Sequence, residues 1–287
     1  MKRRFVLALA LVAACRVAEK PASRSVDNNY EHEIMQWRDH RRTSLLGDNS
    51  WLTLTGLQWL NEGPNKIVNP GGEATLSKGV VTLAPDPKLT IDGKPVTQST
   101  VLLNDFDPKG PTMVHSGTTT FNVIKRVDKY GLRVRDTNSE ARKNFKGLEY
   151  FPVNPKWRVE ARFEPFNPPH HIAITNVLGM TSDEVAPGEL VFTVDGKEAR
   201  LLPILEQGET DYFIIFKDAT SGKETYGAAR YMYAHPAKDG KTIVDFNKSY
   251  NPPCAFTPFA TCPLPPAQNR LPFRIDAGEL KYAGGHA

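Results

Sequence analysis

Apolar positions in this chain recur mostly at every second residue, the spacing of strands that bury one face. The exception comes first. Tyr30, Ile34, Trp37 and Leu45 fall on helical spacing, with Asp27 or Asn28 available as a cap. Arg38, Asp39, Arg41 and Arg42 lie on the other side, which reads as a solvated helix face. Beyond Asp48, Trp51, Thr53 and Thr55 alternate with Leu52 and Leu54, predicting a strand over 50–60. Short β runs follow at 80–84, 88–91, 101–103, 112–115, 118–127 and 131–135. The polar segment 136–146 reads as a loop or short surface helix. Further strands are predicted at 157–163, 172–178, 190–194, 199–204 and 212–216. Asp92-Gly93 and Asp195-Gly196 supply the residues that tight hairpins require. Many short strands, one helix and no parallel crossover pattern predict a mainly β protein, an antiparallel sandwich or barrel-like meander with one N-terminal helix. Residues 29–282 are expected to form a single β-rich domain, with a subdivision admitted near 136–150.

The first residues change the picture. Lys2, Arg3 and Arg4 precede an apolar run over 5–14 that is too short to span a bilayer, the layout of an export signal. The run closes on Leu11, Val12, Ala13, Ala14 and Cys15, which resembles the lipobox of bacterial lipoproteins. The expectation is a signal peptide at 1–14 and a tether at 15–28 lipidated on Cys15, with the membrane as partner through that lipid. By analogy with bacterial lipoprotein sorting, Arg16 after the cysteine leans toward the outer membrane, facing the periplasm, in a cell that has one. Ordinary cleavage near Ala14 would leave a soluble secreted form.

Without those three leader residues, the 36 basic side chains become 33 against 32 acidic, a formal +1. No segment is dense in Lys and Arg, so a nucleic-acid partner is set aside. Cys254 and Cys262 are left as an even pair in an oxidising compartment, predicting a structural disulfide worth ~2.5 kcal/mol. No cofactor motif occurs: there is no P-loop and no G-x-G-x-x-G, nor G-x-S-x-G or H-E-x-x-H. Adjacent His170 and His171 would point to opposite faces of a strand, so no metal site is assigned.

Candidate chemistry concentrates in 227–271. Strand alternation through Val244, Asp245, Phe246 and Asn247 would set Asp245 beside Asn247 on one face. The prolines after Tyr250 and Asn251, with Cys254 and Cys262, would hold Tyr250, Asn251 and Thr257 over the strand end. Asn269 and Arg270 return soon after, and Arg270 could pair with Asp245. Two readings follow. In one, Asp245, Asn247, Tyr250 and Arg270 form a clasp that satisfies an irregular loop. In the other they form a catalytic site with Asp245 as general base, His235 as proton carrier, and Arg230, Tyr233, Asn251, Thr257 and Asn269 as ligand-binding groups for a small molecule.

At Asp245, Phe246 and Asn247, at Tyr250 through Cys254, at Phe256, Thr257, Thr261 and Cys262, at Asn269, Arg270 and Leu271, and at Ala277, Gly278 and Glu279, the chain resembles a bacterial and archaeal family catalogued as domain of unknown function sixteen eighty-four. The likeness extends upstream through Arg230, Tyr231, Phe145, Leu148, Phe151 and Pro152 to Trp51, Gly56 and Trp59. It implies membership without supplying chemistry. The functional expectation is a cell-envelope lipoprotein, a ligand-binding or structural β-rich module, with an envelope hydrolase centred on Asp245 as the alternative.

Overall fold

A computed structural model of the chain describes residues 28–206 and 208–285. The signal segment 1–14, Cys15 and the tether as far as residue 27 lie outside the described residues. Helix α1 (Asn28–Leu46) leads through a 3-10 turn at Trp51–Thr53 into ten strands. These are β1 (Leu54–Trp59), β2 (Gly63–Lys66), β3 (Glu73–Ser77), β4 (Val80–Leu83), β5 (Asp86–Ile91), β6 (Lys94–Val96), β7 (Thr100–Leu102), β8 (Val114–Ser116), β9 (Thr119–Arg126) and β10 (Lys129–Asp136). A four-residue helix, α2 (Glu140–Lys143), falls within the polar 136–146 segment, capped by Ser139. Then come β11 (Arg158–Thr175), β12 (Thr181–Val194), β13 (Lys197–Leu201), β14 (Ile204–Leu205), β15 (Tyr212–Phe216), β16 (Arg230–Ala234) and β17 (Lys241–Asp245).

All pairings between these strands are antiparallel, as the alternating sequence predicts. The first half makes a six-stranded sheet, β1-β10-β9-β8-β5-β6, and a four-stranded one, β2-β3-β4-β7. Leu76, Val81 and Leu83 of the smaller sheet pack with Phe121, Val123, Leu132 and Val134 of the larger in one core. The second half makes β13-β12-β11-β17 and β14-β15-β16. At both predicted Asp-Gly hairpins the two turn residues have positive φ, Asp92 at 49° and Gly93 at 73°, Asp195 at 51° and Gly196 at 74°, the twist that suits a two-residue connection.

Strand β15 is apolar at every position because it is buried on both faces. Tyr212, Ile214 and Phe216 face the core shared with β11, β12 and β17, while Phe213 and Ile215 face a second core with Leu54, Ile174, Tyr231, Cys254 and Cys262. That second core joins residues from both halves of the chain. The same alternation on β10 sends Leu132 and Val134 into the first core and leaves Arg133 and Arg135 on the opposite face.

The strands expected at 157–163 and 172–178 are one, β11, and that expected at 190–194 begins at Thr181. Two further boundaries differ near the candidate residues. The strand expected over 50–60 begins only at Leu54, since Trp51–Thr53 is a 3-10 turn pinned by the Thr53 hydroxyl donating to the carbonyls of Asp48 and Ser50, each at 2.9 Å. The alternation expected through Asn247 stops at Asp245, whose carboxylate accepts from the Asn247 backbone N–H at 3.0 Å and turns Phe246–Lys248 into a 3-10 segment.

Candidate functional site

The polar residues singled out in 227–271 separate into a clasp and a few cavity residues. Asp245 is buried and accepts from the Tyr30 hydroxyl at 2.9 and 3.0 Å, from Asn247 N–H, and from the Asn247 side-chain amide at 3.2 Å. Asn247 also donates to Asn154 O at 3.0 Å and accepts from Asn154 N–H at 3.0 Å. Burial pushes the Asp245 carboxyl above its ordinary value, against the pull of the Tyr30 and Asn247 hydrogen bonds. Asp245 therefore ties α1 to the end of β17. Arg270 is not its partner: the side chain is exposed, and only its backbone joins the loop. His235 is also elsewhere, its ring 3.1 Å from Asp211 at the surface.

The other polar candidates are internal ties as well. Arg230 is fully buried, pairs with Asp218 at 3.1 Å and donates to Ile275 O at 3.1 Å and to Ala277 O. The Asn269 side chain bonds both the N–H and C=O of Leu202 and the carbonyl of Ile215. Thr257 donates to Leu54 O at 2.9 Å. Asn251 donates to Leu280 O and, through its backbone, to Glu279, which also takes Arg41 at 3.0 Å. The arginine face of α1 is thus not wholly solvated. Arg38 reaches Phe151 O at 2.9 Å and Arg41 reaches Glu279 and Asn251 O, while Asp39 and Arg42 pair on the exposed side. The disulfide expected between Cys254 and Cys262 is not formed in the structure: both stand as buried free thiols, with Cys262 Sγ accepting from Cys254 N–H at 3.0 Å. His170 stacks on Phe166, and His171 lies 2.7 Å from Asp183.

The place where chemistry gathers is a cavity of about 420 Å³ beside the second core. This volume suits a small molecule, for which sites of about 300–1,000 Å³ are usual. Of the predicted residues, Tyr233, Tyr250 and Cys262 line it. Tyr250 is held from behind by α1, with the Arg41 guanidinium 4.6 Å from its ring centre and Trp37 at 6.5 Å.

One wall comes from the first half of the chain: Trp51, Asp105, Phe106, Arg126 and Arg133. Arg126 is neutralised by Asp105 at 2.7 Å and fastened to Thr261 Oγ1 at 3.1 Å. Arg133 is not neutralised. It is 8% exposed, stacks 5.6 Å from the Trp51 ring, and makes no hydrogen bond or ion pair to any described residue, its buried Nε included. Burial, with Arg126 and Arg135 nearby, holds its guanidinium down to about 10, against the pull of Asp105. The facing wall carries Phe213, Tyr231 and Tyr233 with Glu184 and Glu206. Glu206 accepts from Tyr233 at 2.9 Å and Glu184 from Ser182 at 2.7 Å; neither pairs with a basic described residue. Burial raises the Glu206 carboxyl, and the neighbouring Glu209 and Glu184 raise it further.

Sequence reasoning missed Arg126, Arg133, Glu184 and Glu206. One signal existed for Arg133: with Arg135 it puts two cations on one face of a strand whose other face, Leu132 and Val134, is core.

The fold and site define a mainly antiparallel β protein with a small-molecule-sized cavity whose two walls carry opposite, uncompensated charges. Residues 143–280 match the family model described as "Protein of unknown function (DUF1684)". Among solved structures the chain is similar to the solution NMR structure of the uncharacterized protein from gene locus rrnAC0354 of Haloarcula marismortui, at 32% identity over 48% of this chain and 78% of that one, with a TM-score of 0.42. No curated protein matches. The matched segment contains the tyrosine and glutamate wall; Trp51, Arg126 and Arg133 precede it.

Proposed function

We propose that this chain is an exported, lipid-anchored protein of the cell envelope that binds a small anionic molecule in the cavity between Arg133 and the tyrosine wall. The observation that carries the binding reading is Arg133. A buried guanidinium without an anion is costly, and a carboxylate or phosphate brought by a ligand would restore the missing hydrogen bonds with the bidentate geometry arginine favours. The aromatic lining would cover the rest of the ligand. The anchoring reading rests on the basic start, the apolar run and Cys15. A hydrolase centred on Asp245 has lost its support, because that carboxylate is enclosed by Tyr30 and Asn247 and away from Arg270 and His235.

The test is calorimetric titration of inorganic phosphate and of small carboxylates into the wild type and Arg133→Met. Binding by the wild type that falls at least about tenfold in the variant supports the reading. Equal binding by both proteins, or none by the wild type, refutes it.

A further inference from the structure

The two walls of the cavity are charged in opposite senses, yet they do not neutralise each other. Arg133 forms no ion pair among the described residues, and the carboxylate that acts on it, Asp105, is bonded to Arg126. Among the described residues, Glu184 and Glu206 receive only hydroxyl hydrogen bonds, from Ser182 and Tyr233, and no ion pair crosses the cavity. A ligand with one charge would leave the other wall unanswered.

The acidic wall is also aromatic in a particular way. Phe213 and Tyr233 stack with centroids 5.1 Å apart, and Tyr231 meets Phe213 edge-on at 5.0 Å. Tyr231 and Tyr233 are two apart on β16, so both rings stand on one face of the strand, opposite the Met232 face that packs in the other core. Ring faces attract cations, most strongly where water is displaced. A primary ammonium needs several hydrogen-bond acceptors, whereas a quaternary ammonium has no N–H and needs none, and rings supply few.

Resting on the anion-binding reading above, we infer that the ligand is a zwitterion: a quaternary ammonium seated against Phe213, Tyr231, Tyr233 and Glu206, and a phosphate or carboxylate seated on Arg133. Free small zwitterions and the headgroup of a zwitterionic lipid share this chemistry.

The experiment titrates phosphocholine, inorganic phosphate and choline into the purified wild type, Glu206→Gln, Tyr233→Leu and Arg133→Met, each checked for an unchanged circular dichroism spectrum. Tyr233 is 45% exposed and Glu206→Gln preserves shape, so both folds should survive. Phosphocholine should bind the wild type about tenfold more tightly than phosphate does. Glu206→Gln and Tyr233→Leu should erase most of that advantage without altering phosphate binding, and Arg133→Met should weaken both anions. If phosphate and phosphocholine bind alike, or Glu206→Gln weakens both equally, the zwitterion inference is overturned while the anion site stands. If Arg133→Met changes neither, the anion site itself is overturned, and the inference with it. A vesicle arm separates the sources. Soluble phosphocholine binding without retention on phosphatidylcholine vesicles assigns a free zwitterion, and the same binding together with retention on phosphatidylcholine but not phosphatidylglycerol vesicles assigns the lipid headgroup. Absence of both overturns the inference.

Discussion

Replacing Arg133 with methionine should stabilise the ligand-free protein. Arg133 is 8% exposed, so solvent screens it little, and its guanidinium is held down to about 10. At about 1.4 kcal/mol per pKa unit, keeping it charged in the fold costs about 3 kcal/mol relative to an unfolded chain. Methionine retains an unbranched apolar stem beside Trp51 but gives up the cation–ring contact, worth about 1 kcal/mol. The net expectation is a gain of about 2 kcal/mol, or roughly 4–8 °C in Tm for a chain of this size. The sign with pH is fixed by the lowered value. The penalty is present throughout the range below about 10 and is relieved as pH rises through it, so at neutral pH the full difference should be seen. The assay is scanning calorimetry on protein refolded from denaturant to strip adducts, with and without saturating phosphate. Phosphate should raise the wild-type Tm and leave the variant unmoved. If Arg133→Met instead lowers the ligand-free Tm, the guanidinium has a structural partner and the reasoning from an uncompensated charge is wrong.

The clasp gives a contrasting outcome: Asp245→Ala strands the Tyr30 hydroxyl proton and the Asn247 backbone N–H, and should cost about 2–4 kcal/mol in urea unfolding. Tyr30→Phe should cost about 1 kcal/mol and less than that in the Asp245→Ala background, because the two share one interaction. Burial raises Asp245, so its contribution is full in acid and fades as pH rises through its folded value; Asp245→Asn should flatten that slope. Desolvation also raises Tyr30, Tyr150, Tyr231, Tyr233 and Tyr250. Their contribution is present below about pH 10 and lost above it, so phenolate absorbance should appear together with unfolding, not before it. Cys254 and Cys262 are free thiols in the structure, and we propose that oxidation on export joins them: a thiol count on exported protein unfolded without reductant should then find neither free, and reduction should cost ~2.5 kcal/mol; two reactive thiols would exclude the bridge. Radiolabelled palmitate should enter the wild type and not Cys15→Ser, and equal labelling would dismiss the lipid anchor.

What the sequence revealed follows from the range of each interaction. Strand periodicity and the Asp-Gly turns are written in neighbouring residues, so the antiparallel β class and both hairpins could be read directly. The crowding of Asp245, Asn247, Asn251 and Asn269 correctly marked a specified structure, but polar density does not distinguish a site from a clasp. That distinction depends on Tyr30 reaching Asp245, separated by 215 positions, and on Asn269 reaching Leu202, separated by 67. The cavity was less legible still. Arg133 matters because of what it lacks, and a missing partner leaves no local pattern. Its facing glutamates come from β12 and from the segment after β14, elements that only the sheet topology brings opposite β10.

The two sets of residues are nevertheless coupled. The clasp holds α1 and the loop after β17 in place, and that loop delivers Tyr250, Thr261 and Cys262 to the cavity. Thr261 in turn fixes Arg126, whose charge is spent on Asp105. Arg126 therefore positions the basic wall without competing for the ligand, and Arg133 alone remains to receive an anion. A ligand touching both walls would link residues 51–133 to the family segment 143–280, stabilising the pairing of the two by about 2.7 kcal/mol at a hundredfold excess over its Kd. On this view the clasp provides the rigidity that lets one unpaired arginine persist, and its cost is recovered only when the cavity is filled.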